Sequence, residues 1–160
     1  MVHLRKFFFL RCPAKDTGKV RFPELLCGEM RMAPILVVED NEINAEIIMS
    51  TLDTFGIPNV LAVDGIDSLD KCNGLPKDYY SLILMDIHMP RMNGYEAARK
   101  IKTELEMTAP IIAQTATHTT AETIEEHHSY ITDYIYKPFK PDQLYTMIRK
   151  YMAEQSAPDF

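Results

Sequence analysis

Tryptophan is absent from this 160-residue chain, and cysteine and glycine are scarce, with three and six residues. Cys12, Cys27 and Cys72 are odd in number and widely spaced, which fits neither a disulfide framework nor a CxxC metal or redox site; a reducing cytoplasm is the expected compartment. Long apolar runs are missing as well. The longest near the start, Phe7 to Leu10, is far too short for a signal-peptide core or a membrane span, although basic residues precede it. The ten prolines are scattered, no tract is low in complexity and no segment repeats at a fixed period, which excludes solenoids and disordered linkers.

What is present is enough for one core. With 46% hydrophobic and 25% charged residues, the composition is that of an ordinary globular domain, with no room for a second of full size. Charge divides the chain. Residues 1–33 carry seven Lys and Arg against three acids, a net of plus four, so minus ten falls on residues 34–160 to reach the total of minus six. A body that acidic repels phosphate backbones, so no direct nucleic-acid ligand is expected. The boundaries read as a basic extension over 1–33, a folded domain over 34–152 and a short tail over 153–160.

From Ala33 onward short apolar runs alternate with helical periodicity, the signature of parallel α/β structure. Ile35–Val38, Val60–Val63, Leu82–Met85, Ile111–Ala113 and Tyr134–Tyr136 read as five strands, the first four without alternation, as for strands covered on both faces. Helices are predicted over 42–55, with Ile43, Ile47, Ile48, Leu52 and Phe55 on one side, and over 95–105, with Ala98, Ile101 and Leu105. The last helix is the clearest: Leu144, Met147, Ile148 and Tyr151 follow the i, i+3, i+4, i+7 rule after Pro141 in the first turn. Residues 66–73 and 119–128 are weaker helices, and the second, with only Ala121 and Ile124 apolar, is expected to be marginal and exposed. Five βα units imply a doubly wound sheet with its ligand site at the carboxyl ends of the strands.

Those ends carry Glu39 and Asp40, Asp86, Thr115 and Lys137. Singly each has a structural explanation: Asp40 or Asn41 as a helix cap, Asp86 in a turn, Thr115 as a loop hydroxyl, Lys137 as a solvated tip. Together they mean more. Three carboxylates at one crevice repel each other unless a cation sits among them, and Mg²⁺ (or Mn²⁺) is the ion that takes one or two carboxylates and completes its shell with water and phosphate oxygens. A metal-bound carboxylate can then attack a phosphoryl group in line, while a hydroxyl and an ammonium bind the remaining phosphoryl oxygens.

Four motifs, VVEDNEIN at 37–44, LMDIHMPRMNGYEA at 84–97, IIAQTA at 111–116 and YIYKPF at 134–139, give the chain from about Pro34 to Tyr151 a resemblance to the response-regulator receiver family of two-component signalling. The resemblance implies a flavodoxin-like sheet in the order 2-1-3-4-5. It also implies Asp86 as phosphoacceptor from a phosphohistidine, Glu39 and Asp40 as the acidic metal pair, Thr115 as the switch hydroxyl, Lys137 as the family lysine and Tyr134 as the aromatic switch. Asp40, Asp86 and the His88 backbone carbonyl would bind Mg²⁺ directly, and Glu39 through water. The implied partners are a histidine kinase or a histidine-containing phosphotransfer protein, meeting either the fourth helix, fifth strand and fifth helix, or the first helix. The Lys137–Pro138 bond corresponds to one often cis in the family, and Gly94 to the turn opening the third helix. Asn44 in the VEDN segment is closer to receivers of hybrid kinases and phosphorelays than to DNA-binding regulators. The short stretch after Tyr151 and the 33 residues before Pro34 leave no room for a usual effector domain.

Some positions depart from the common pattern. Gln114 stands where a small or apolar residue is frequent, and His88 and Thr117 occupy two positions that tune phosphoaspartate lifetime. Two rival readings stay open at this point: a receiver-like module that works without phosphorylation, and a Mg²⁺-dependent aspartyl phosphatase of the haloacid dehalogenase type, with His88 where that family places a general acid. A flavin module is disfavoured, because Glu39–Asp40–Asn41–Glu42 would repel the phosphate that such a loop must hold. His118, His127 and His128 lack metal-ligand spacing and read as solvated.

Overall fold

The computed structural model describes residues 33–116 and 119–154. The expected basic extension, the end of the tail, Thr117 and His118 lie outside the described residues, apart from Ala33 at the extension's last position. Five strands alternate with five helices: β1 Ile35–Val38, α1 Glu42–Thr54, β2 Asn59–Ala62, α2 Gly65–Cys72, β3 Leu82–Asp86, α3 Gly94–Thr103, β4 Ile111–Thr115, α4 Ala121–His127, β5 Asp133–Tyr136 and α5 Pro141–Glu154. All pairings are parallel and the order is β2-β1-β3-β4-β5. The Lys137–Pro138 bond is cis. Among the described residues no helix is long and apolar enough to cross a membrane.

The sheet has a core on each face. One packs Leu36, Val38, Ile83, Met85, Ile111 and Ala113 against α2 and α3, through Cys72, Ala97, Ala98 and Ile101. The other packs Ile35, Val37, Leu82, Leu84, Ile112 and Ile135 against α1 and α5, through Ile48, Leu52, Leu144 and Ile148. Every residue of β1, β3 and β4 is buried, as continuous apolar runs require. β2 differs from the expectation: three of its four residues are only partly covered, because it is an edge strand, and Val63 lies beyond its end, 53% exposed.

α1 also departs from the reading of its sequence. Ala45, Ile48 and Leu52 face the core, while Ile43 and Ile47 are 70% and 56% exposed. At 100° per residue the two groups lie on nearly opposite sides of the helix, so the five apolar positions were two stripes and not one. α4 buries no residue, in keeping with its polar composition. α5 buries Leu144, Ile148 and Tyr151 as its periodicity requires.

Candidate functional site

The carboxyl edge of the sheet is assembled from short local devices. Glu39 follows β1 directly, and its N–H donates to the Ala62 carbonyl (3.0 Å), which extends the ladder one step and buries the residue. The chain then turns into α1, where the Asn41 side chain caps the helix by accepting from the N–H groups of Ile43 and Asn44, both at 3.1 Å. Asn44, on the first turn, reaches back and donates to Glu39 Oε1 (3.0 Å). Sequence reading used Asn44 only as a mark of family style; its bond to Glu39 gives it a positioning role.

Asp86 is the last residue of β3 and is 7% exposed. Its Oδ1 accepts the His88 N–H (3.0 Å), while Oδ2 accepts from Lys137 Nζ at 2.6 Å. The same ammonium donates to Glu39 Oε2, also at 2.6 Å. Lys137 is aimed by its own backbone, whose N–H bonds the Thr115 carbonyl (2.8 Å) and continues β5 past its assigned end. Glu39, Asp40 and Asp86 each place a carboxylate oxygen within 4.8 Å of the others, so the three predicted acids do converge. Asp40 is exposed and open to solvent; Glu39 is buried. Burial pushes the Glu39 carboxyl above its ordinary value, against the hydrogen bonds from Lys137 and Asn44 that favour its charge.

Gly94 accounts for the tightness of the loop between Asp86 and α3. A Cβ there would stand 2.1 Å from the Asp86 carbonyl oxygen and 2.8 Å from the Ile87 Cα, so only glycine lets the helix start pack on the strand end. A second tie was not read from the sequence: buried Asp64, the cap of α2, pairs with Arg91, which sits at φ 66° in the β3–α3 loop. It joins the β2–α2 and β3–α3 loops beside the acids.

Thr115 ends β4 and is buried; Tyr134 packs against the α2/α3 core with its hydroxyl sealed from solvent. Burial drives the Tyr134 phenol upward, helped by Tyr95 nearby. The reading of His127 needs correcting. Its ring is 13% exposed in the side chain, stacks on Tyr95 at 3.8 Å between centroids and meets the Tyr130 hydroxyl at 2.6 Å through Nδ1. It is the residue that docks an otherwise exposed α4, while His128 is exposed as expected.

Three carboxylates, an ammonium and a buried hydroxyl at the ends of parallel strands form a hard-oxygen site suited to a small divalent cation and to phosphate oxygens. Residues 35–149 match the family model of the response regulator receiver domain. The chain belongs to this family. The receiver is 36% identical over 122 residues to the osmosensing histidine protein kinase SLN1 of Saccharomyces cerevisiae, covering 74% of this chain and 10% of that protein. It is 35% identical over 124 residues to the hybrid signal transduction histidine kinase L of Dictyostelium discoideum, covering 75% of this chain and 7% of the kinase. The chain thus spans a tenth or less of the length of these relatives. Among solved structures it resembles the receiver domain of the sensor histidine kinase PA1611 of Pseudomonas aeruginosa, whose active-site cleft coordinates a magnesium ion. The identity is 32% and the TM-score 0.65, covering 76% of this chain and 98% of that one. The chemotaxis protein CheY4 of Vibrio cholerae matches at 27% identity and a TM-score of 0.68, covering 76% and 99%. The chain is accordingly a receiver domain of two-component and phosphorelay signalling with the expected flavodoxin-like topology.

Proposed function

We propose that this receiver takes a phosphoryl group from a phosphohistidine onto Asp86, and that residues 34–152 are the unit that does so, with 1–33 a basic extension. The observation that carries the reading is the bridging of Asp86 and Glu39 by Lys137 beside exposed Asp40. Asp40, Asp86 and the His88 carbonyl would hold Mg²⁺ or Mn²⁺ directly, and Glu39 through water. The cation supplies neutralisation of the charge that gathers as phosphoryl and carboxylate oxygens meet. An Asp86 oxygen attacks phosphorus in line; the O–P bond forms as the P–N bond to the donor imidazole breaks, and the electron pair leaves with that ring. Lys137 and the Thr115 hydroxyl then bind phosphoryl oxygens, and movement of Thr115 is passed to Tyr134. The domain catalyses its own phosphorylation in this sense, and hydrolysis of the phosphoaspartate resets it.

The partner is a histidine kinase or a histidine-containing phosphotransfer protein, and α1 is the favoured face. Ile43 and Ile47 expose an apolar pair just beyond Asp40, whereas the α4–β5 side offers Ile124 and Tyr136 at 41% and 39% exposure. The odd number and wide spacing of the three cysteines support a cytoplasmic setting. Intact mass after incubation with acetyl phosphate and Mg²⁺ tests the proposal. One phosphoryl adduct is expected, lost without metal and in Asp86→Asn. A folded wild-type protein that gains no adduct would instead support an interaction module independent of phosphorylation.

A further inference from the structure

Gln114 is fully buried, and among the described residues neither its Nε2 nor its Oε1 meets a hydrogen-bond partner. Its backbone is satisfied, the carbonyl accepting the Ile87 N–H at 3.1 Å, so the orphan is the side-chain amide alone. Strand alternation says which way that amide faces. Ile111 and Ala113 belong to the α2/α3 core and Ile112 to the α1/α5 core, which puts Gln114 on the α1/α5 face. The same count carries Val37 to Glu39, Leu84 to Asp86 and Ile135 to Lys137. Thr115 and Tyr134 fall on the opposite face. In register Gln114 lies between Asp86 on β3 and Ile135 on β5, one step deeper than Lys137. The amide therefore sits under the Glu39–Lys137–Asp86 cluster.

An apolar side chain would suit this position better in energy, so a buried amide left without a partner calls for a reason, and a role in the chemistry beside it is one. Lys137 has three hydrogens to donate, and Glu39 and Asp86 take at least two. As a phosphoryl group builds on Asp86, the ammonium must turn toward it and release a carboxylate. We infer that Gln114 is a positioning residue for Lys137: its Oε1 accepts the hydrogen given up by the carboxylates and holds the ammonium beside Asp86 during transfer. The inference rests on the phosphoacceptor reading above.

The test uses the full chain with Gln114→Met and Gln114→Leu, which fill the same space without an amide. Labelling by acetyl phosphate at saturating Mg²⁺ should slow about tenfold, the value of one hydrogen bond to a charged group, while the denaturation midpoint holds or rises. In a Lys137→Ala background, or Lys137→Arg if that variant gives no adduct, the Gln114 change should have no further effect on the rate. An unchanged rate in the single variants overturns the inference, as does the same slowing with and without Lys137. A lowered midpoint in both Gln114 variants would make the amide a structural residue and overturn it too. Wild-type labelling separates the two levels: if it fails, the phosphoacceptor reading falls and takes this one with it; if it succeeds, only the role of Gln114 is at stake.

Discussion

The two halves of the same sheet edge are held in different ways. At the ends of β1 and β3, Glu39 and Asp86 are 1% and 7% exposed, and their oxygens are bound by Asn44, Lys137 and the His88 N–H. Gly94 and the Asp64–Arg91 pair lock the neighbouring loops onto them. Across the edge, α4 buries none of its residues and is docked chiefly by His127 on Tyr95 and Tyr130. Under the proposed function the acceptor carboxylate sits on the firm half, and α4, the element with the least burial, lies on the other. Segments that move in switching are drawn from the low-stability end of a fold, and α4 meets that description.

Substitutions should show the contrast in order of size. Gly94→Ala forces a methyl into the Asp86 carbonyl and should cost about 3 kcal/mol in chemical denaturation, with loss of phosphoryl labelling. Asn41→Ala removes the α1 cap for about 1 kcal/mol, and its effect on labelling should exceed its effect on α4. His127→Ala should change global stability by under about 1 kcal/mol yet speed amide exchange across 121–131, because α4 loses its dock without a core being opened. A global loss as large as that of Gly94→Ala would erase the distinction between the halves.

The smallest effect is one of pH at the foot of β5. Burial raises the Asp133 carboxyl, but hydrogen bonds from Tyr151 (2.6 Å), the Tyr134 N–H (2.8 Å) and Lys150 (3.2 Å) outweigh it and hold the group below its ordinary value of 3.8. A depressed carboxyl stabilises the fold above its unfolded value and ceases to as pH falls through the folded one. Asp133→Asn should therefore be less stable than wild type at neutral pH. The difference should shrink as pH drops below about 4 in denaturation curves at stepped pH.

Much of this was legible in the sequence because the signals were local and strong. Apolar runs of three or four residues marked the buried strands, and the acids, hydroxyl and lysine stood at their ends, where a parallel sheet brings loops together. The α1 stripe misled because Ile43 and Ile47 share the spacing of core residues while facing away from the core; only packing separates the two sides. His127 was misread for a related reason. A histidine on a polar helix looks solvated until Tyr95 and Tyr130, 32 residues before and three after, are seen to enclose it. The Asp64–Arg91 pair and the burial of Gln114 depend on loop paths and register that composition does not encode.

Peptide-resolved hydrogen exchange on the full chain, with and without Mg²⁺ and acetyl phosphate, tests the division most directly. The account predicts that phosphorylation changes exchange mainly over 119–136, with residues 34–62 nearly unmoved outside the Asp40 loop. A change confined to 34–92, with α4 and β5 unaffected, would contradict it.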